Sequence, residues 1–180
     1  MPHHQWNQRG VKVAPRSKLQ IRELANKVRG LISAHDDVPL DIVSLLEIYL
    51  QELKVEIFVL DRQEMKTVEA STDSDDLKIF IRDDVYEALH NGDGRSRFTI
   101  AHEIGHLLMH ENVSLARDQV PPKAYEDSEW QADVFAAELL VPLHVAAMYN
   151  DPSELSMTMG VSFTCAKNRI SEARKQKSQP

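Results

Sequence analysis

The sequence predicts an α+β fold, and three observations carry that expectation. Apolar residues recur at helical spacing before residue 52 and again after residue 97. Between these helical stretches lie short β-like runs, confined to residues 55–82. Helices, then strands, then helices segregate the two kinds of element instead of alternating them, which is the α+β pattern. A chain of 180 residues that is 42% hydrophobic and 27% charged has the apolar mass to close one core.

Residues 1–15 mix His, Gln, Asn, Gly and Pro without periodicity and read as a loose arm. Its His3 and His4 are expected to be incidental. Over 16–34 the residues Ile21, Leu24, Ala25, Val28 and Ile32 mark one face of a helix. A second helix is expected over 39–52, from Ile42, Val43, Leu45, Leu46 and Leu50. Strands are expected over 55–60, more weakly over 65–70, and over 77–82. In the last, Leu77, Ile79 and Ile81 alternate with Lys78, Phe80 and Arg82. Asp73, Asp75 and Asp76 miss the spacing of a calcium loop and read as a solvated turn.

The breaker cluster at 91–94 precedes a stretch, 97–110, that is apolar nearly all round and reads as a buried helix. A further helix is expected over 124–141, stopped near Pro142. The segment 143–180 reads as three short helices with a basic tail. The expected organisation is therefore an arm (1–15), a main domain (16–142) and a C-terminal helical segment (143–180).

His102, Glu103 and His106 sit inside the buried stretch. Histidines four apart on a helix share a face, so both imidazoles can reach one cation. Glu103 stands near that face and can contact a metal-bound water rather than the metal. Burying these groups without partners would be costly. His110 continues the spacing, but two turns, about 12 Å along the axis, separate it from His102, so it is not expected as a third ligand. On a helical wheel of 124–141, Glu129 falls inside the apolar arc of Ala132, Phe135, Ala136, Leu139 and Leu140. A carboxylate aimed into a core needs a cation, which makes Glu129 the expected third ligand. Asp133, one turn on, is placed to accept a hydrogen bond from a ligating imidazole. Asp127, Gln131 and Glu138 point away from the arc and are expected to be solvated.

The run Arg97-Phe98-Thr99-Ile100-Ala101-His102-Glu103-Ile104-Gly105-His106, with Glu129, Ala132, Phe135, Ala136, Leu139, Leu140 and Pro142 following, resembles the ImmA/IrrE family of metallo-endopeptidases. That family's pattern runs roughly rFtiAHElGH, then ExxAxxFAxxLLxP. The resemblance implies a zincin-like fold, with a small mixed or antiparallel sheet and an HExxH active-site helix among other helices. It implies a Zn2+ peptidase with His102, His106 and Glu129 as ligands and Glu103 as catalytic base. The spacing of Glu129 and Asp133 is also similar to that of gluzincins. By the same resemblance the partner would be a protein substrate, a helix-turn-helix (Xre-type) repressor whose cutting releases mobile-element or stress genes. Lys78 and Arg82 on one face of the strand at 77–82 mark it as an edge, and by resemblance to zincin folds it would border the cleft and pair with an extended stretch of the target. The oxyanion-stabilising group stays open among His144, Tyr125 and Tyr86.

Two other readings stand beside this one. Residues 155–170 have the shape of helix, Gly-containing turn, helix, and resemble a helix-turn-helix. Lys167, Arg169, Arg174, Lys175 and Lys177 against Glu172 could meet phosphates, giving a DNA-binding regulator with a vestigial metal site. A metal-dependent protein that disables a repressor by binding alone is the other. The net charge of −7 argues against nucleic acid, and the intact Glu103 against pure binding. One cysteine, Cys165, and no apolar run of membrane-spanning length lead to the expectation of a cytoplasmic protein without a membrane partner. Cys165 itself reads as a small core residue, not a nucleophile.

Overall fold

The computed structural model describes residues 10–32, 35–111 and 121–178. His3 and His4 lie outside the described residues. Helix α1 is Lys18–Ile32. Residues 42–52 form one helical stretch in three pieces: α2 (Ile42–Ser44), a π-helical turn (Leu45–Tyr49) and α3 (Leu50–Glu52). Strand β1 (Glu56–Leu60) is followed by α4 (Arg62–Met65), β2 (Ala70–Asp73) and β3 (Lys78–Arg82). Then come α5 (Asp83–His90), the long α6 (Gly94–Met109), a 3-10 turn (Ala124–Glu126) and α7 (Ser128–Leu140). Helices α8 (Leu143–Ala146), α9 (Pro152–Met159) and α10 (Phe163–Lys177) complete the chain. This is the α+β, zincin-like arrangement, and 143–177 holds three helices.

The sheet corrects two expectations. Its order is β1-β3-β2, with β1 parallel and β2 antiparallel to β3. The strand at 77–82 is therefore central, not an edge, and both its sides are already paired. Its alternation reflects burial on two faces. Ile79 and Ile81 are fully buried, Phe80 stacks on Phe58 with centroids 5.2 Å apart, and Arg82 is buried against Asp84 at 3.0 Å. The weak strand expected over 65–70 is displaced. Asp61 caps α4 through the amides of Gln63 and Glu64 (2.7 and 2.9 Å), so Met65 ends a helical turn and the strand begins only at Ala70. Asp73 closes β2, and its carboxylate accepts from the Asp76 amide at 3.1 Å in the hairpin turn.

Helix α6 starts where Asp93 caps the Ser96 amide at 2.7 Å. It packs on α7 on one side and on β2 on the other, burying Ile100, Ala101 and Ile104. Helix α1 covers the far side of α7 with Ile21 and Ala25 fully buried, so its apolar stripe is core. Residues 10–16, expected in or beside a loose arm, are held along the start of α7. The Val11 carbonyl accepts from Ser128 N (3.1 Å), Val13 N donates to Glu126 O (2.8 Å) and Arg16 N to Tyr125 O (2.9 Å). Backbone polar groups here find partners across the loop before α7, which local periodicity cannot reveal.

Glu138, expected in solvent, is fully buried. It receives Arg169 at 2.8 Å and Arg22 at 3.1 Å, tying α10 and α1 to α7. Arg169 also donates to the Val141 carbonyl at 2.9 Å. One of the cations counted toward a phosphate-facing helix is thus inside the fold. Helix α10 further buries Cys165, Ala166, Ile170 and Ala173. The turn before it uses Gly160 at φ +62°, a left-handed helix cap that favours glycine. No helix among the described residues is long and apolar enough to cross a membrane.

Removing one partner of a buried ion pair leaves the other charge uncompensated. Glu138→Ala should cost about 3 kcal/mol in urea unfolding, and Glu138→Leu combined with Arg169→Met much less. Burial pushes the Cys165 thiol up to about 11, against the opposing effect of Arg169. At pH 8 the thiolate fraction is then about one in a thousand, and alkylation should be slow in the folded protein but complete once it is unfolded.

Candidate metal centre

Two consecutive turns of α6 present His102 and His106 toward the first turn of α7, where Glu129 sits. The two Nε2 atoms are 3.0 Å apart. Glu129 places one oxygen 3.3 Å from His102 Nε2 and the other 3.4 Å from His106 Nε2. These three residues have one ligand atom each within 4.8 Å of one another, the one such group among the described residues. Around a tetrahedral ion with bonds of about 2.0–2.1 Å, donor atoms stand about 3.3 Å apart. The two Nε2 atoms, 3.0 Å apart, suit two corners of that tetrahedron, and either Glu129 oxygen, each 3.3–3.4 Å from one ring, suits a third, leaving the fourth for a reactant. Two imidazoles and a carboxylate are also the donor types that a divalent transition metal takes.

The site depends on how closely the two helices cross. A Cβ on Gly105 would come to 3.0 Å from the Phe135 ring and 3.2 Å from the Ala132 backbone. Glycine therefore lets α6 and α7 approach until the imidazoles and the Glu129 carboxylate face each other. Asp127 caps α7 through the Trp130 amide at 3.0 Å and fixes where the first turn, and with it Glu129, begins.

Electrostatics concentrate negative charge around the rings. Burial opposes a charged His102, but Asp133 at 2.9 Å and Glu129 at 3.3 Å outweigh it and push the ring up to about 10. Glu129 is half-buried, which would raise it, yet the two imidazoles facing it, His102 foremost, hold it well below the ordinary carboxylate range. Positive charge at the centre of the cluster is thus favoured. Asp133 meets Nδ1 of His102 and leaves Nε2 facing the cluster. Glu103 is buried beside this cluster, and its Oε2 lies 2.8 Å from the Thr72 hydroxyl on β2. The Ser74 hydroxyl donates to the His106 carbonyl at 3.1 Å, so the hairpin is pinned to α6 at both residues.

Three residues around the site escaped the reading of the sequence. Thr72 carried no signal, because the hairpin's position over α6 is a tertiary fact. His110 does not approach the cluster's centre but stands behind His106, its Nδ1 2.9 Å from His106 Nδ1. Its spacing of four from His106 was a visible clue. Burial and the neighbouring His106 push His110 down to about 4. Gln131, expected in solvent, is fully buried and meets His110 at 3.2 Å. The wheel treated α7 as one-faced, whereas α1, α6 and residues 10–16 surround it. Of the oxyanion candidates, Tyr86 donates to Glu47 and His144 pairs with Asp36 at 3.2 Å.

An α+β domain whose HExxH helix and next long helix converge in this way is of the metallopeptidase type. A family model described as the IrrE N-terminal-like domain, peptidase M78, matches residues 50–171, and the chain belongs to that family. No curated protein and no solved structure matches the chain.

Gly105→Ala should force the helices apart by a few tenths of an ångström. Overpacking of this kind costs about 1–3 kcal/mol, so the melting temperature should fall by roughly 2–10 °C. Metal affinity, measured by competition with a chromophoric chelator, should fall with it.

Proposed function

We propose that this protein is a zinc-dependent endopeptidase of the cytoplasm that cuts a helix-turn-helix repressor. His102, His106 and Glu129 are the zinc ligands, Glu103 is the catalytic base, and Asp133 orients His102. The observation that carries the reading is the Glu129 carboxylate set 3.3 and 3.4 Å from two imidazoles, with a second carboxylate, Glu103, buried beside them. Zinc bound there supplies Lewis acidity toward a peptide carbonyl and makes water acidic enough to be activated near neutral pH.

The chain's own residues do the rest. Glu103 takes a proton from the attacking water at Oε1 or Oε2 and returns it to the leaving amine. The Thr72 hydroxyl holds Oε2 and so aims the carboxylate. Strand β2 runs along α6 and, among the described residues, pairs only with β3. A target segment in extended form would add to its outer edge, the role first assigned to β3. The repressor as target rests on the family resemblance. A site of this kind in a cytoplasmic enzyme must be restricted, and recognition of a folded partner is the restriction favoured here.

The test is incubation with a helix-turn-helix repressor and zinc, read by intact mass spectrometry. A single cut, lost on chelation, is expected. Glu103→Gln should retain zinc and fold while cleavage falls by about 10²-fold or more. Normal cleavage by that variant would remove Glu103 from its role. Digestion of casein-like substrates as fast as the repressor would leave a general peptidase.

A further inference from the structure

Behind His106 lies a chain of hydrogen bonds whose polarity can be read from its far end. The Gln131 amide nitrogen lies 2.8 Å from the Ala14 carbonyl and 2.9 Å from the Tyr125 carbonyl. Carbonyl oxygens only accept, so the NH2 group of Gln131 must face them and its Oε1 must face His110. That oxygen also only accepts, so His110 carries a proton on Nε2, 3.2 Å away. A neutral His110 then presents a lone pair at Nδ1, 2.9 Å from Nδ1 of His106. His106 has to donate there, which leaves the lone pair of His106 on Nε2. That is the atom 3.4 Å from Glu129 and 3.0 Å from His102.

We propose that Gln131 and His110 are positioning residues that set the ligating tautomer of His106, with the carbonyls of Ala14 and Tyr125 as the fixed reference. The two imidazoles are then oriented by different means. His102 has the Asp133 carboxylate behind it. His106 has a neutral relay, which orients the ring without adding a further negative charge to a cluster that already holds Glu103, Glu129 and Asp133. The two relay side chains are themselves buried, His110 6% exposed and Gln131 fully enclosed. The relay also ends in residues 10–16, which makes that segment part of the site's support. The purpose of the relay rests on the metal-site reading above. The placement of its protons does not, because it follows from the carbonyls and from a His110 kept neutral by its burial.

Nitrogen-15 NMR of the full chain, stripped of metal with chelator, reads the ring tautomers directly. His106 should be protonated at Nδ1 in the wild type. It should remain so in His110→Asn, whose Oδ1 can replace Nδ1 as acceptor. In His110→Leu and Gln131→Leu the Nε2-protonated form should appear. Zinc affinity should fall about 10–100-fold in the two Leu variants and stay close to wild type in His110→Asn. Thermal unfolding of each variant identifies any that fail to fold, and in that case the wild-type spectrum decides alone. His106 protonated at Nε2 in the wild type would overturn the proposal. So would unchanged zinc affinity in folded Leu variants. A wild type that binds no zinc but carries the Nδ1 proton would instead sink the metal reading and leave the relay standing.

Discussion

The close crossing of α6 and α7 at Gly105 is the constraint from which the rest of the site follows. A Cβ there would press on the Ala132 backbone at 3.2 Å, so the helices lie as near as their main chains allow. At that distance a short carboxylate on α7 can span to both imidazoles of α6, and Glu129 does so. The same crossing brings Asp133 to His102 and Gln131 to His110. Three positions of one helix thereby act on the other from three directions. Widening the crossing would loosen all of them together, because protein interiors have little slack to absorb it.

Helix α7 is polar at both ends for different reasons. Its first turns carry Glu129, Gln131 and Asp133 into the site. Its last turns carry Glu138 into an ion pair with Arg169 and Arg22, which fastens the C-terminal and N-terminal helices to the core. Buried charges of this kind hold geometry when paired and destabilise strongly when half is lost. The basic character of α10 therefore has a partly internal cause. Arg169 belongs to the anchoring of the metallopeptidase domain, whatever its neighbours meet outside it.

The sheet positions the site from the opposite side. A hairpin places β2 over α6, where the Thr72 and Ser74 hydroxyls reach Glu103 and the His106 carbonyl. The parallel pairing of β1 with β3 requires the chain to pass over and return, and that return is what leaves β2 at the edge. An edge strand beside a buried carboxylate combines a backbone able to pair with an extended segment and a group able to move a proton.

How much the sequence determined by itself follows from what is local. The period of 3.6 made the helices legible, and the spacing of His102 and His106 put two rings on one face. The apolar arc of α7 singled out Glu129, since an acid among Ala136, Leu139 and Leu140 needs a cationic neighbour. Strand order was not local. Alternation in residues 77–82 describes two differing faces, which an edge strand and a central strand share, so β3 could be misread as an edge. Gln131 and Glu138 were misread because a wheel assigns one buried face, while α1, α6, α10 and residues 10–16 cover α7 nearly all round. His110 was legible as a residue but not as a role. Its ring gains meaning only when Gln131, held by two carbonyls distant in sequence, closes behind it. The sequence by itself determined the chemical groups and their helical phase; the tertiary structure alone decided which of them meet, because hydrogen bonds across elements depend on packing distances that periodicity does not encode.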